Sequence, residues 1–195
     1  MLLEQKGWEL GETGIREKVI GGAKVKLEFE LTLPKLSFLE EAAREIKDAW
    51  SKIGAKTNII VVEPQEITDG ALRTRSYQML LFGNIIRNRK DLFAFWHSGE
   101  RFYPGSNLSV YENNIVDTAL EKIRKEFKAE NSQTEFKKII ETITKDRPAI
   151  FLFSPNYLYA TNKKLSGWTE QSIVTGSDRF LNIEQWYIKT KRIWK

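Results

Sequence analysis

From Ala23 to Leu33 apolar and polar residues alternate without a break: Val25, Leu27, Phe29, Leu31 and Leu33 fall on one side, Lys24, Lys26, Glu28, Glu30 and Thr32 on the other. A period of two predicts a half-buried strand, ended by Pro34. The period then changes. Phe38, Leu39, Ala42, Ala43, Ile46, Ala49, Trp50 and Ile53 form one stripe at helical spacing. Ser37 with Glu40 reads as a capping box at its start, and Gly54 as the left-handed residue that stops it. Asn58 to Val62 reads as an apolar strand bounded by Pro64 and covered on both faces. Strand, helix and strand in this order predict a βαβ unit with a right-handed crossover.

A second round follows. Pro64 to Leu72 predicts a short helix weakened by Gly70, Met79 to Phe82 a buried strand ending at Gly83, and Asp91 to Trp96 another short helix. Ser98 to Asn114 is a loop rich in Gly, Ser, Asn and Tyr, whose order must come from side-chain contacts. Two helices run in tandem after it. The first is capped near Asn113 or Asn114 and buries Ile115, Val116, Ala119, Leu120, Ile123 and Phe127; the second, with a Ser132–Glu135 capping box, buries Phe136, Ile139, Ile140 and Ile143. Pro148 closes it, Ala149 to Phe153 predicts a last apolar strand, and 154–195 is irregular and rich in aromatics. At the other end, Leu2, Leu3 and Lys6 followed by Gly7-Trp8 read as the last turn of a helix closed by a C-cap glycine. The body of that helix is missing, so Met1 is expected to open a piece of a longer protein; the competing reading is a frayed N-terminal turn.

Composition narrows the chemistry. The 195 residues hold no cysteine and one histidine, which excludes a disulfide framework, a thiol nucleophile, an iron–sulfur site and a multi-histidine metal centre. No run approaches a membrane span, and the start has no signal-peptide pattern. The net charge of +5 comes from 31 basic and 26 acidic residues that mostly alternate, so it describes a solvated surface and no nucleic-acid partner. There is no Walker loop, no dinucleotide fingerprint and no calcium loop. His97 shows neither an orienting partner nor a nucleophile in sequence, so no catalytic residue, metal ligand or cofactor is assigned.

The ordered landmarks carry a resemblance. Gly7-Trp8 comes first, then Leu31 to Gly54 with Ala43, Trp50 and Ile53, then Tyr77 to Gly83 ("YQMLLFG"). Asp91 to Ser98 ("DLFAFWHS"), Gly105 with Asn107 and Tyr111, and Asn113 with Asp117 follow, before Pro148 to Leu152 and Tyr157 with Tyr159-Ala160. In order and spacing these resemble the C-terminal lobe of the family 5 extracellular solute-binding proteins, the oligopeptide-, dipeptide- and nickel-type receptors of ABC importers. The resemblance implies an α/β, periplasmic-binding-protein-like (type II) lobe, with a mixed sheet flanked by helices. It implies that 1–195 is one lobe of a larger two-lobe receptor, and that 154–195 is an irregular, aromatic-rich C-terminal segment. It implies a monomeric, non-enzymatic lipoprotein that is extracytoplasmic and membrane-anchored at full length. Its partners would be a small solute or peptide, the ABC permease and the missing N-terminal lobe.

Ligand in such an open sheet lies beyond the carboxyl ends of the strands, which selects Lys35 after the first strand and Gly83, Asn84, Ile85 and Arg87 after the "MLLF" strand. Trp96 and Asn107 would form the rim, with packing and loop bracing as the competing reading for both. Two positions depart from the family pattern. The acidic residue that pairs a peptide's α-amino group is replaced by the stretch Asn84 to Arg89, and Leu33-Pro34-Lys35 stands where dipeptide-type members carry Arg and Tyr. The alternative function is a protein-interaction module using the basic, aromatic C-terminal segment. The genomic reading frame separates the two: the receptor reading expects it to run upstream of Met1 through a second lobe into a lipoprotein signal, and an in-frame stop immediately before Met1 would defeat it.

Overall fold

The computed structural model describes residues 2–86, 92–125, 132–169, 173 and 175–188. They group into two compact units. One comprises 1–84 with 91–148, the other 85–90 with 149–195. Predicted positions Asp91, Phe127, Arg87 and Arg89 lie outside the described residues.

In the first unit a short turn, α1 (Leu2–Gln5), leads into an antiparallel sheet of β1 (Glu9–Leu10), β2 (Arg16–Ile20) and β3 (Ala23–Lys26). Gly7 has φ +80°, and the Gly7 and Trp8 amides donate back to Glu4 and Leu3, closing α1 as the C-cap reading expected. A parallel sheet follows, with order β5-β4-β6: β4 (Glu28–Pro34) lies between β5 (Lys56–Val62) and β6 (Met79–Leu80). Helix α2 (Ser37–Ser51) makes the crossover from β4 to β5. Leu31, Leu33, Leu39, Ala43 and Leu81 form the buried core between helix and sheet, with Ala42, Ile46, Ile59 and Met79 packed around them. Gly54 has φ +81° and ends the helical segment; a Cβ there would meet the Arg16 side chain at 2.8 Å. That guanidinium is buried and donates to the carbonyls of Ile53 and Trp8 and to the Glu4 carboxylate, tying the hairpin to the end of the crossover.

Four expectations are corrected. The alternating stretch 23–33 is two strands, because Leu27 changes partner: its N–H donates to Arg16 in the hairpin and its C=O accepts from Lys56 of the next sheet. The chain stays extended through that change, so the alternation continues while Val25 remains exposed. The Ser37–Glu40 capping box does not form. Lys35 is still held to Val62, the chain turns within two residues, and Leu36 becomes an N-cap without a side-chain cap. Among the described residues β5 is a sheet edge and is not covered on both faces, with Ile60 38% and Val61 43% exposed. Ala149 to Phe153 forms no strand, and Ile150 and Phe151 are 73% and 72% exposed. Apolar content makes a strand favourable only where another strand supplies hydrogen bonds.

Beyond β6, α3 (Pro64–Ile67) having led through a π-turn to Leu72, comes the short helix α4 (Phe93–Trp96). The tandem helices are α5 (Asn114–Lys125) and α6 (Ser132–Asp146). Asn113 caps α5, its Oδ1 accepting from the Ile115 and Val116 amides. Val116, Ala119, Leu120, Ile139 and Ile143 make their shared core, whereas Ile115 and Ile140 face out. In the second unit, β7 (Leu165–Ser166) pairs antiparallel with β8 (Tyr187–Ile188), and 3₁₀ turns at Gly176–Phe180 and Ile183–Gln185 shape the rest. Among the described residues no helix is long and apolar enough to cross a membrane.

Two measurements check these forces. Leu33→Ala, at a fully buried site, should cost about 2–5 kcal/mol in urea unfolding; a loss below 1 kcal/mol would show that this position is not in the core. The second concerns the Tyr111 hydroxyl, which donates to Asp146 at 2.6 Å and is pushed up to about 12 by burial and by that carboxylate. A raised acid stabilises the fold below its unfolded value of about 10 and loses that contribution as pH rises through its folded value. Asp146 is held low, first by the Tyr111 hydroxyl, so its contribution is present above the ordinary carboxylate range and fades as pH falls. Tyr111→Phe should therefore flatten both limbs of the stability–pH curve, read by thermal melts.

Candidate functional site

The register of β4 on β5 builds the site. The strands pair from Glu28↔Lys56 to Pro34↔Val62, so both leave the sheet at one level and the next residues, Lys35 and Glu63, emerge side by side. Lys35 Nζ lies 2.5 Å from Glu63 Oε1, with both side chains more than half exposed. The Lys35 ammonium is pushed up by its hydrogen bond to Glu63 and by that residue's charge, although solvent screening keeps such an exposed pair weak. On the other side of β4, Leu31↔Met79 and Thr32↔Leu80 pair in parallel, and the Leu81 amide donates to Thr32 at 2.9 Å. Gly83 and Asn84 therefore leave the sheet in the same direction as Lys35. Gly83 faces open space: a Cβ there would meet nothing within 4 Å. Ile85 is exposed and belongs to the second unit.

Trp96 and Asn107 belong to a different part of the first unit. Trp96 packs on the α5–α6 core and meets the Tyr111 ring edge-on, with centroids 6.2 Å apart. Asn107 is fully buried. Its amide donates to the carbonyls of His97 and Tyr111 and accepts from Ser109 Oγ and the Tyr111 amide, so all its donors and lone pairs are used inside the loop. Other side chains fasten the same loop. The Arg75 guanidinium donates to the carbonyls of Leu72, Arg101 and Gly105, the Tyr77 hydroxyl to Leu108, and Ser98 binds Asp117 through both N–H and Oγ. Arg75 holds φ +56°, a conformation that persists only where surrounding contacts impose it. Arg75 and Tyr77 precede β6 directly, so these bonds anchor the 98–112 loop to the strand that delivers Gly83.

His97 stacks on Phe93 at 4.0 Å, accepts the Gly99 amide on Nδ1, and places Nε2 3.5 Å from Glu121. Its ring shapes the turn. Among the described residues no cluster of His, Cys, Asp and Glu is arranged to hold a metal ion.

Sequence reasoning selected Lys35 without Glu63, and missed Arg75 and Tyr77. The signal for Glu63 was present, since it follows a second strand of matched length and precedes Pro64. Nothing local marks Arg75 and Tyr77 as anchors of this loop, because the loop carbonyls that they bind lie 26 to 31 residues onward.

No protein-family model matches the chain, and no curated protein does. Solved structures do. The oligopeptide-binding protein AppA from Bacillus subtilis, in complex with a nonapeptide, superposes with TM-score 0.76 at 22% identity, over 97% of this chain and 36% of its own. NikZ from Campylobacter jejuni, in complex with Ni(L-His), gives TM-score 0.70 at 23% identity, over 95% of this chain and 37% of its own. The ABC transporter-associated periplasmic binding protein DppA from Helicobacter pylori, in complex with the peptide STSA, gives 0.60 at 17%, over 84% of this chain and 31% of its own. The chain spans about a third of the length of these structures, and it has the α/β fold of that third, with its sheets flanked by helices.

The two parts of the site should respond differently to mutation. Lys35→Ala should leave the melting temperature unchanged. Asn107→Ala strands several buried polar groups and should cost about 2–4 kcal/mol, with faster amide exchange across 98–112; equal melting temperatures for the two variants would contradict this division.

Proposed function

We propose that this chain is a ligand-binding lobe of an extracytoplasmic solute-binding protein that serves an ABC importer, and that it binds an oligopeptide or related solute without transforming it. The observation that carries this reading is the shared exit of Lys35 and Gly83 at the carboxyl edge of a parallel sheet, in a chain that matches peptide- and nickel-receptor structures over nearly its whole length. Ligand sites in open α/β sheets lie outside that edge. Lys35, Gly83 and Asn84 are the contacts in this proposal, Trp96 and Asn107 shape the rim, and Ile85 and Arg87 remain expectations from sequence. A receptor of this kind needs a concave surface and a few fixed polar groups, and its affinity comes from closure of two walls on the ligand. The other wall, the membrane anchor and the permease contact belong in this reading to the full-length protein, acting as a monomer.

The Lys35–Glu63 pair favours a ligand with polar or dipolar ends. An incoming carboxylate or ammonium exchanges one partner of a weak, solvated pair, which costs less than desolvating an isolated charge.

Ligand identification by native mass spectrometry on the full-length protein purified from cells is the direct test, with a co-purified small solute or peptide as the expected result. Gly83→Leu is the matching variant, because the open space beside Gly83 accepts a side chain without disturbing the fold. It should weaken binding of that solute more than about tenfold, or 1.4 kcal/mol, at unchanged melting temperature. Unchanged affinity would remove this edge from the site. Residues 1–195 alone should bind the same solute very weakly, and tight binding by them would contradict the two-wall mechanism.

A further inference from the structure

Among its described residues the second unit contains a cation, Arg179, without a counter-ion. The Arg179 guanidinium lies over the Tyr159 ring at 4.9 Å and the Phe180 ring at 4.5 Å, and its Nη1 donates to the Tyr157 hydroxyl at 2.6 Å. Its Nε is buried with no hydrogen-bond partner. Among the described residues no carboxylate pairs with it, and its neighbour Asp178 is already committed: Oδ2 accepts from the Thr175 amide and Oδ1 from the Thr175 hydroxyl, both at 2.8 Å, in a capping box. The arrangement is held in place. That box fixes the Gly176–Phe180 turn which carries Arg179, and the Tyr157 oxygen packs against that turn, 3.2 Å from where a Cβ on Gly176 would stand.

A guanidinium has five N–H donors and no acceptor. Here one donor is used by a phenol and another is buried unmade, which costs free energy. Aromatic faces offset part of the charge but accept no in-plane hydrogen bond. The Tyr157 hydroxyl, accepting from Arg179, keeps its own hydrogen to donate. The Tyr157 hydroxyl hydrogen thus stands beside a planar cation that no described carboxylate neutralises, and a planar, two-oxygen acceptor suits that pair.

We infer that Arg179 and Tyr157 form a receiving site for a carboxylate group, distinct from the edge of the parallel sheet. The carboxylate comes from a free small acid or from a second copy of this chain, and the guanidinium supplies the charge-assisted bonds in either case. This inference stands on the second unit alone and does not depend on the solute-receptor reading.

The test follows the Arg179 Nε–H cross-peak in ¹H–¹⁵N spectra of the full 195-residue chain, assigned by its loss in Arg179→Gln. Sodium acetate, against sodium chloride at equal ionic strength, should shift it saturably. Tyr157→Phe, which leaves the guanidinium in place, should weaken the response about tenfold, the loss of one charge-assisted bond. A dilution series without acetate distinguishes the sources: a shift that depends on protein concentration assigns the carboxylate to a second copy, and a concentration-independent peak that still answers acetate assigns it to a free acid. Equal responses to acetate and chloride, or none to either across the acetate and dilution series, would overturn the site. The wild-type titration is decisive even where a variant fails to fold.

Discussion

Seven rungs of parallel pairing between β4 and β5 are the constraint on which the first unit depends. Parallel strands cannot be joined by a tight turn, so the chain crosses over through α2, and the helix must lay its apolar stripe on the sheet to bury Leu33, Leu39 and Ala43. Both strands then end at one level. The adjacency of Lys35 and Glu63 and the start of α2 follow from that register. A slip of one residue would turn Leu31 and Leu33 out of the core and separate the two charges.

The loop over 98–112 solves a different problem. It has almost no regular structure, so its backbone groups require other partners. Asn107, fully buried, bonds three backbone groups and the Ser109 hydroxyl, and Arg75 reaches the loop carbonyls of Arg101 and Gly105 from a left-handed backbone conformation. These polar side chains do for the loop what a ladder does for a strand. Asn107 holds the frame of that loop, with its amide oxygen and nitrogen both bonded within it.

Solved solute-binding proteins share this fold over about a third of their own length. The second unit has its own character: the aromatic and arginine side chains around Tyr157, Tyr159, Arg179 and Phe180 organise short 3₁₀ turns. The apolar residues Ile150 to Phe153 are exposed along an irregular stretch. Four bulky apolar residues in succession suit a strand covered on both faces, and the described residues of this chain supply no such cover.

Local pattern alone determined the crossover unit, the helix ended by Gly54, the tandem helices with their Asn113 cap, and a loop dependent on side chains. Each of these is set by neighbours within a few residues, where periodicity and capping act. Only the tertiary structure decided the rest. Leu27 hands the chain from one sheet to another without interrupting its alternation, so one apparent strand is two. The connection after Pro34 is pulled taut by the Lys35–Val62 bond, so the expected cap at Ser37 is lost. Ile150 to Phe153 has every local mark of a strand and forms none. Lys35 was legible as a residue at a strand end, whereas its pairing with Glu63 needed the register of two strands separated by a helix. Nothing local marks Arg179, whose bonded partner Tyr157 lies 22 residues before it. Hydrogen bonds and charges choose partners in space, and sequence shows those choices only where the partners are also neighbours along the chain.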